Sequence, residues 1–243
     1  METAKEENID KVNYEREIKV TENGPYLVSG RLPISEQIIS VNREGVPVKW
    51  RSGKKYPLQE KRSLCRCGES KNRPFCDGTH AKIGFDGTEV ASSEPYLKQA
   101  KIIQGPTLEL TDVADLCASA RFCHRAGEIW NLIPKSDGLD DRRVAIEEAG
   151  DCPSGRLVVR DKKTGKAIEP KLERSIGLVE DPQMECSGPI WVRGGIPIRS
   201  ADGKIYKARN RVTLCRCGKS SNKPFCDSSH FPEHRYEELM SSK

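Results

Sequence analysis

The chain lacks the runs that would place it in a membrane or on nucleic acid. No apolar stretch approaches the roughly 20 residues needed to span a bilayer. The basic excess is slight, 41 against 36 for a net charge of +5, and no dense basic run accompanies it, so nucleic-acid binding is not favoured. The opening residues, METAKEENIDKVNYE, show neither an apolar signal core nor an Arg/Ser-rich transit pattern, and a soluble cytoplasmic protein is the expectation. There is no P-loop, no G-x-S-x-G, and no G-x-G-x-x-G in a strand–helix context. No Cys–His nucleophile pair remains once the ligand candidates below are set aside. The chain is therefore not expected to be an enzyme. Apolar residues are also sparse: 35% against 32% charged, with a mean hydropathy of −0.66. For 243 residues that is lean for one large core, and it suits small β-rich modules stapled by metal sites.

What is present is a repeated stretch. Residues 65–80, CRCGESKNRPFCDGTH, return nearly unchanged at 215–230, CRCGKSSNKPFCDSSH. Both copies space their residues as Cys-x-Cys-x8-Cys-x3-His. In an extended segment i and i+2 share a face, so Cys65 with Cys67, and Cys215 with Cys217, aim two sulfurs at one point. The run 69–75 (ESKNRPF) reads as a turn punctuated by Asn72 and Pro74. Cys76 and His80, like Cys226 and His230, stand at i and i+4, which predicts one face of a short helix. Asp77 is expected to cap its N-terminus. Three thiolates and an imidazole suit zinc as well as iron. The Cys-x-Cys pair is tight for zinc, which prefers Cys-x2-4-Cys, and suits one iron of a diiron cluster. A disulfide framework is not expected of ten cysteines in a reducing compartment.

Both copies resemble the CDGSH, or NEET, iron–sulfur family. The first fits at Cys65, Cys67, Ser70, Pro74, Cys76, Asp77, Gly78, Thr79 and His80. The second fits at Cys215, Cys217, Ser220, Pro224, Cys226, Asp227, Ser229 and His230. It departs at Ser228, where the family has glycine, which bears on the local backbone and on the lability of a second cluster. The resemblance implies a [2Fe-2S] cluster in each copy, held by three cysteines and one histidine. Three thiolates on a doubly positive oxidised core leave a net charge of minus one. That lies between the plant-ferredoxin and Rieske cases and predicts an intermediate potential. A protonated imidazole cannot bind iron, so acid should loosen either cluster. Arg66, Lys71, Arg73, Arg216, Lys219 and Lys223 either offset the cluster charge or are simply solvated.

A second repeat lies upstream of each motif: residues 24–34 (GPYLVSGRLPI) match 188–198 (GPIWVRGGIPI). Pro25 and Pro189 stand 189 − 25 = 164 apart, while Cys65 and Cys215 stand 215 − 65 = 150 apart. The first copy thus carries a 14-residue insertion, expected as a longer hairpin between Ser35 and Ser63. Modules this short bury too little alone, so the halves are expected to pair as an intrachain pseudo-dimer or with another chain. Relatives of the resembled family do pair, exchanging strands into a β cap. The expected fold is mainly β, with an α+β insert. Its parts are a tail at 1–14, a first cluster module at 15–84, a small ferredoxin-like middle domain at 85–180 and a second cluster module at 181–243. Within the middle, a helix is expected over 112–123 with Thr111 as its cap, a surface loop over 137–143, a short helix over 146–149 and a strand over 157–160.

The middle also holds Cys117, Cys123 and Cys152, the last followed by Pro153. This resembles single-cluster bacterial ferredoxins, with Ala120 where a central cysteine would stand, Trp130 as the following aromatic and CPSGRL as the closing motif. The resemblance implies a [3Fe-4S] or [4Fe-4S] cluster, with His124 or Cys186 as a possible fourth ligand. The plain alternative is a set of buried thiols in a domain that binds nothing, with Cys186 a core thiol and His234 a surface histidine. The leading expectation is a non-enzymatic iron–sulfur protein that transfers electrons to a redox partner or passes clusters to an apo-acceptor. A zinc-stapled interaction module and a cluster-bearing subunit of a redox enzyme are the rivals.

Overall fold

The computed structural model describes residues 15–232. The expected tail at 1–14, the segment after 232 and His234 lie outside them. The first module contributes β1 (Ile18–Val20), β2 (Tyr26–Ser29), β3 (Ile34–Val41), β4 (Pro47–Tyr56) and β5 (Lys61–Leu64). Helices α1 (Thr79–Lys82) and α2 (Tyr96–Gln99) follow. The middle has β6 (Lys101–Gln104), β7 (Leu108–Asp112), α3 (Ile129–Leu132), α4 (Leu139–Asp151), β8 (Leu157–Asp161) and β9 (Ala167–Ile168). The second module has β10 (Ser175–Asp181), β11 (Cys186–Arg193), β12 (Ile198–Arg199), β13 (Ile205–Tyr206) and β14 (Arg211–Leu214).

The two modules exchange hairpins. One sheet runs β13-β12-β1-β2-β5 and the other β14-β11-β10-β3-β4. The β3–β4 hairpin of the first module therefore completes the sheet of the second, and β12–β13 completes the sheet of the first. The joins are the parallel pairs β1 with β12, Ile18 opposite Ile198, and β10 with β3, Ile176 opposite Ile34. Strands alternate buried and exposed residues where one face meets the core, as in β1 and β2. Ile18, Tyr26, Val28, Ile34 and Leu64 form one cluster with their counterparts Ile176, Ile190, Val192, Ile198 and Leu214. Neither module has a core of its own, which is why two such short units share a chain.

The insertion is the β3–β4 hairpin. It spans residues 34–56, against 198–206 for β12–β13, and the extra length reaches the middle segment. Trp50 stacks on Phe122 at 4.8 Å and on Trp191 at 4.9 Å, and its indole N–H donates to the Asp151 carbonyl at 3.1 Å. Arg125 donates to the Val48 carbonyl at 3.1 Å. Ile39, Ala120, Phe122, Val179 and Trp191 form a separate small core at this junction.

In the middle, β6-β7-β8-β9 form an antiparallel sheet over which α3 and α4 pack, burying Leu108, Leu110, Ile129, Ile133, Ala145 and Leu157. The strand expected at 157–160 is β8. Several other expectations change. Residues 175–180, assigned from sequence to the middle, lie in β10, which pairs with β3 and β11 and belongs to the second module. The stretch 112–123 is no helix: Ser119 (φ 49°) and Arg121 (φ 62°) are left-handed, a conformation that ends helical propagation. Only short 3-10 turns at Ala114–Leu116 and Phe122–His124 remain. Thr111 lies in β7 and bonds the Val158 carbonyl rather than capping. The loop expected at 137–143 is largely the first turn of α4, begun by Asp140 and Asp141.

Candidate metal centres

Each repeated stretch starts where the last strand of its module ends. Cys65 N–H donates to Pro74 O and Cys76 N–H to Ser63 O; Cys215 N–H and Cys226 N–H repeat this with Pro224 O and Thr213 O. The motif serine ties the loop shut: Ser70 Oγ donates to Phe75 O at 2.6 Å and accepts from Asn72 N–H, as Ser220 does for Phe225 and Asn222. Both prolines follow cis peptide bonds. Asp77 receives N–H groups from Lys71 and Thr79, and Asp227 those of Ser221 and Ser229. Burial works against ionisation of Asp227, but the Ser229 and Ser221 bonds outweigh it and pull the carboxyl down to about 2.

The expectation that Cys76 and His80 share a helix is corrected. The helix begins only at Thr79, and its second counterpart is a turn. A left-handed residue brings thiol and imidazole together instead: Gly78 at φ 84° and Ser228 at φ 77°. Asp77 lies one residue before the cap position. The backbone at Ser228 therefore matches that at Gly78, although serine rarely adopts it.

The donors come in pairs. Cys65 Sγ and Cys67 Sγ are 3.8 Å apart, and Cys215 Sγ and Cys217 Sγ 3.7 Å. Two sulfurs about 2.3 Å from one tetrahedral metal stand about 3.7 Å apart. Cys76 Sγ and His80 Nδ1 are 3.3 Å apart, and Cys226 Sγ and His230 Nδ1 3.4 Å, close to the spacing of a sulfur and a nitrogen on one metal. Among the described residues no three His, Cys, Asp or Glu side chains meet at a single-ion site. Each module thus presents two donor pairs. All ten cysteines are free. The contact with the Cys217 thiol, with further N–H groups from Ser220, Cys217 and Gly218, lowers Cys215 to about 6 against the effect of burial. Burial holds Cys226 well above the ordinary thiol range. Burial and the Arg216 charge bring His230 down to about 4, leaving its imidazole neutral and able to bind metal at pH 7.

The two sites touch. A side chain at Gly68 would lie 2.5 Å from Cys217 O, and one at Gly218 would lie 2.4 Å from Cys67 O, so each loop needs glycine against the other. Arg66 and Arg216 are not solvated. Arg66 is buried and donates to Thr21 O and Gly87 O; Arg216 donates to Gly188 O, Val179 O and Glu180. Lys71, Arg73 and Lys219 are exposed.

Of the middle cysteines, Cys123 and Cys152 pack against the apolar core of the middle segment. Burial raises the Cys123 thiol, and Cys152 and Cys117 are the charges that raise it further. Ala120 is buried in the apolar junction with Phe122 and Trp191, so no fourth thiol stands at that place. His124 Nδ1 faces Glu128 at 3.2 Å. Cys186 opens β11 and is pushed up to about 11 by burial and Asp181; the charges acting on it are Asp181, Arg121, Glu180 and Arg216, not the middle thiols. Sequence reasoning missed Glu148. It is buried on α4, four residues before Cys152; its Oε1 accepts the Ala126 N–H at 2.7 Å and its Oε2 has no partner. Its place one helical turn before a cysteine was the available signal.

Family comparison agrees with these three places. The family described as iron-binding zinc finger, CDGSH type, matches residues 23–81 and again 187–231, and the divergent 4Fe-4S mono-cluster family matches 103–162. Neither the curated proteins nor the solved structures contain a match to the chain. Two CDGSH-type iron-binding domains, at residues 23–81 and 187–231, thus flank a divergent 4Fe-4S mono-cluster segment in one chain.

Proposed function

We propose that this iron–sulfur protein carries electrons or holds and passes on clusters, and that it performs no substrate chemistry of its own. Cys65, Cys67, Cys76 and His80 would hold one [2Fe-2S] cluster, and Cys215, Cys217, Cys226 and His230 another. The observation that carries this reading is the pairing of the donors, Sγ to Sγ at 3.7–3.8 Å and Sγ to Nδ1 at 3.3–3.4 Å, one metal's span for each pair. A bound cluster supplies one-electron chemistry. The chain's part is to fix the ligands, offset charge with the buried Arg66 and the half-buried Arg216, and hold the His230 imidazole neutral.

Cys117, Cys123 and Cys152 would hold a third cluster. With Ala120 turned into the apolar junction, three thiolates favour [3Fe-4S], or a [4Fe-4S] cluster whose fourth iron takes a ligand other than cysteine. The partner would be a one-electron redox protein or an apo-protein with cysteine ligands, met in the cytoplasm. No helix among the described residues is long and apolar enough to cross a membrane.

The test is iron, zinc and acid-labile sulfide per chain on anaerobically purified protein, with a visible spectrum. Two diiron sites predict four irons and four sulfides; a filled middle raises iron to seven or eight. Zinc without sulfide would replace this reading by a structural zinc module.

A further inference from the structure

The two Cys3His sites share a backbone and a donor set, but their surroundings differ. Around the first, a side chain built at Gly78 would meet nothing within 4 Å. Cys76 and His80 are half-buried, and Asn72 and Arg73 of the loop are exposed. Among the described residues the side-chain hydrogen bonds of this loop stay inside it, from Asn72 to Ser70 and from Lys71 to Asp77.

The second site is covered by other parts of the chain. Ser228, the counterpart of Gly78, donates its hydroxyl to the Cys117 carbonyl at 2.9 Å. Asn222 donates its amide to the Asp115 carbonyl at 2.9 Å. The N–H groups of Val90 and Ala91 both reach Lys223 O, at 2.8 and 2.9 Å. Arg121, fixed to Asp181, lies over the Phe231 ring at 5.5 Å. Cys226 is 3% exposed. The middle segment is thus fastened over the thiol–imidazole end of the second site. The serine that breaks the glycine pattern is one of its fasteners, its hydrogen bond offsetting a left-handed backbone that serine disfavours.

We infer that the two sites do different work: the first is the exchange site and the second keeps its cluster, closed by the middle segment through Ser228 and Asn222. This rests on the iron–sulfur reading above. In an exchange, acceptor cysteine thiolates form Fe–S bonds as those to Cys65, Cys67 and Cys76 and the Fe–N bond to His80 break. The core passes over with its oxidation state unchanged, and the freed thiolates and imidazole take up protons from solvent. An acceptor must reach the iron on the histidine side to begin this. Around Gly78 the described residues leave that approach open; at Ser228 the 115–117 turn occupies it.

The experiment compares two single-site proteins, C226S, which keeps the first site, and C76S, which keeps the second. Each is loaded anaerobically and mixed with plant-type apo-ferredoxin at neutral pH, and transfer is followed by visible circular dichroism. The first site is expected to deliver about tenfold faster, the size of effect that groups around a metal's ligands commonly exert. Adding S228G and N222A to the second-site protein should bring its rate to that of the first. The same pair in the first-site protein should leave its rate unchanged. Glycine is at ease at φ 77°, so S228G removes a hydroxyl without straining the loop. Should a single-site protein fold poorly, wild-type protein gives a second reading, with one fast and one slow phase of delivery. Equal rates in the two single-site proteins, a single phase in the wild type, or no response to S228G with N222A would overturn the inference. A wild type that holds zinc and no sulfide would instead end the iron–sulfur reading before any transfer is measured.

Discussion

Tyr26 donates its hydroxyl to the carbonyl of Cys215 at 2.9 Å and to that of Pro224 at 3.1 Å, across 189 and 198 residues of chain. A residue of the first module thus fastens the ligand loop of the second. Its counterpart in the core, Ile190, has no hydroxyl to return the contact. Arg66, set between two ligands of the first site, lies 5.5 Å from the Tyr26 ring, so the side chain stands between both loops. Burial holds the phenol well above its ordinary range, and it remains a donor at every working pH. Tyr26→Phe is expected to cost about 1–3 kcal/mol, because two buried carbonyls lose a donor while ring packing is kept. Urea unfolding of the loaded protein measures this, and a change within error would mean that the contact contributes nothing net.

The long hairpin gives a second prediction. Trp50 ties it to Phe122, Trp191 and the carbonyl at the end of α4. Trp50→Ala should cost about 2–4 kcal/mol, somewhat below a fully buried tryptophan since part of the ring is exposed. Amide exchange should speed up over residues 117–125, held from one side by this ring, and remain slow in β10 and β11. Uniform acceleration across both sheets would show that the hairpin supports the whole core instead.

Much of this arrangement was legible in the residues. The two Cys-x-Cys-x8-Cys-x3-His stretches, the repeated Gly-Pro strands and the extra length between Ser35 and Ser63 stand at spacings that only a duplicated module explains. The middle was harder to read. Val113, Leu116, Ala120 and Cys123 have helical spacing, but only short 3-10 turns form there. Left-handed Ser119 and Arg121 break the helix at positions that periodicity cannot flag. The run 175–180 falls on the wrong side of the expected boundary because its partners, β3 and β11, are distant in sequence on one side and adjacent on the other. Strand exchange leaves no local mark. Ser228 was visible as a departure, but its partner at Cys117 was not.

Glu148 yields a prediction about pH. Burial raises its carboxyl, the Ala126 N–H acting the other way. In the unfolded chain the group ionises near its ordinary value, so the folded state is penalised as pH rises through that value and up to the folded one. Glu148→Gln keeps an acceptor for Ala126 and removes the charge. It should raise the melting temperature at pH 7–8 and leave it unchanged near pH 4, where the carboxyl is protonated in both states. Loss of the charge also relieves Cys123, whose thiol it helps to hold up. A variant that is less stable at neutral pH would show that the carboxylate has a favourable role at the middle cysteines.

The motif histidines give the last prediction. At the first site, His80→Cys replaces a neutral donor with a thiolate and adds one negative charge to the cluster's surroundings. Its potential should fall toward the plant-ferredoxin range, near about −400 mV. Loss of colour on acidification should also shift, since the imidazole that a proton would displace from iron is gone. The second site, unaltered, serves as the internal reference in the same redox titration followed by electron paramagnetic resonance. Two waves are expected where the wild type shows the sites closer together. If both potentials and the acid profile stay where they were, His80 is not a ligand, and the donor pair of Cys76 Sγ and His80 Nδ1 at 3.3 Å reflects packing alone.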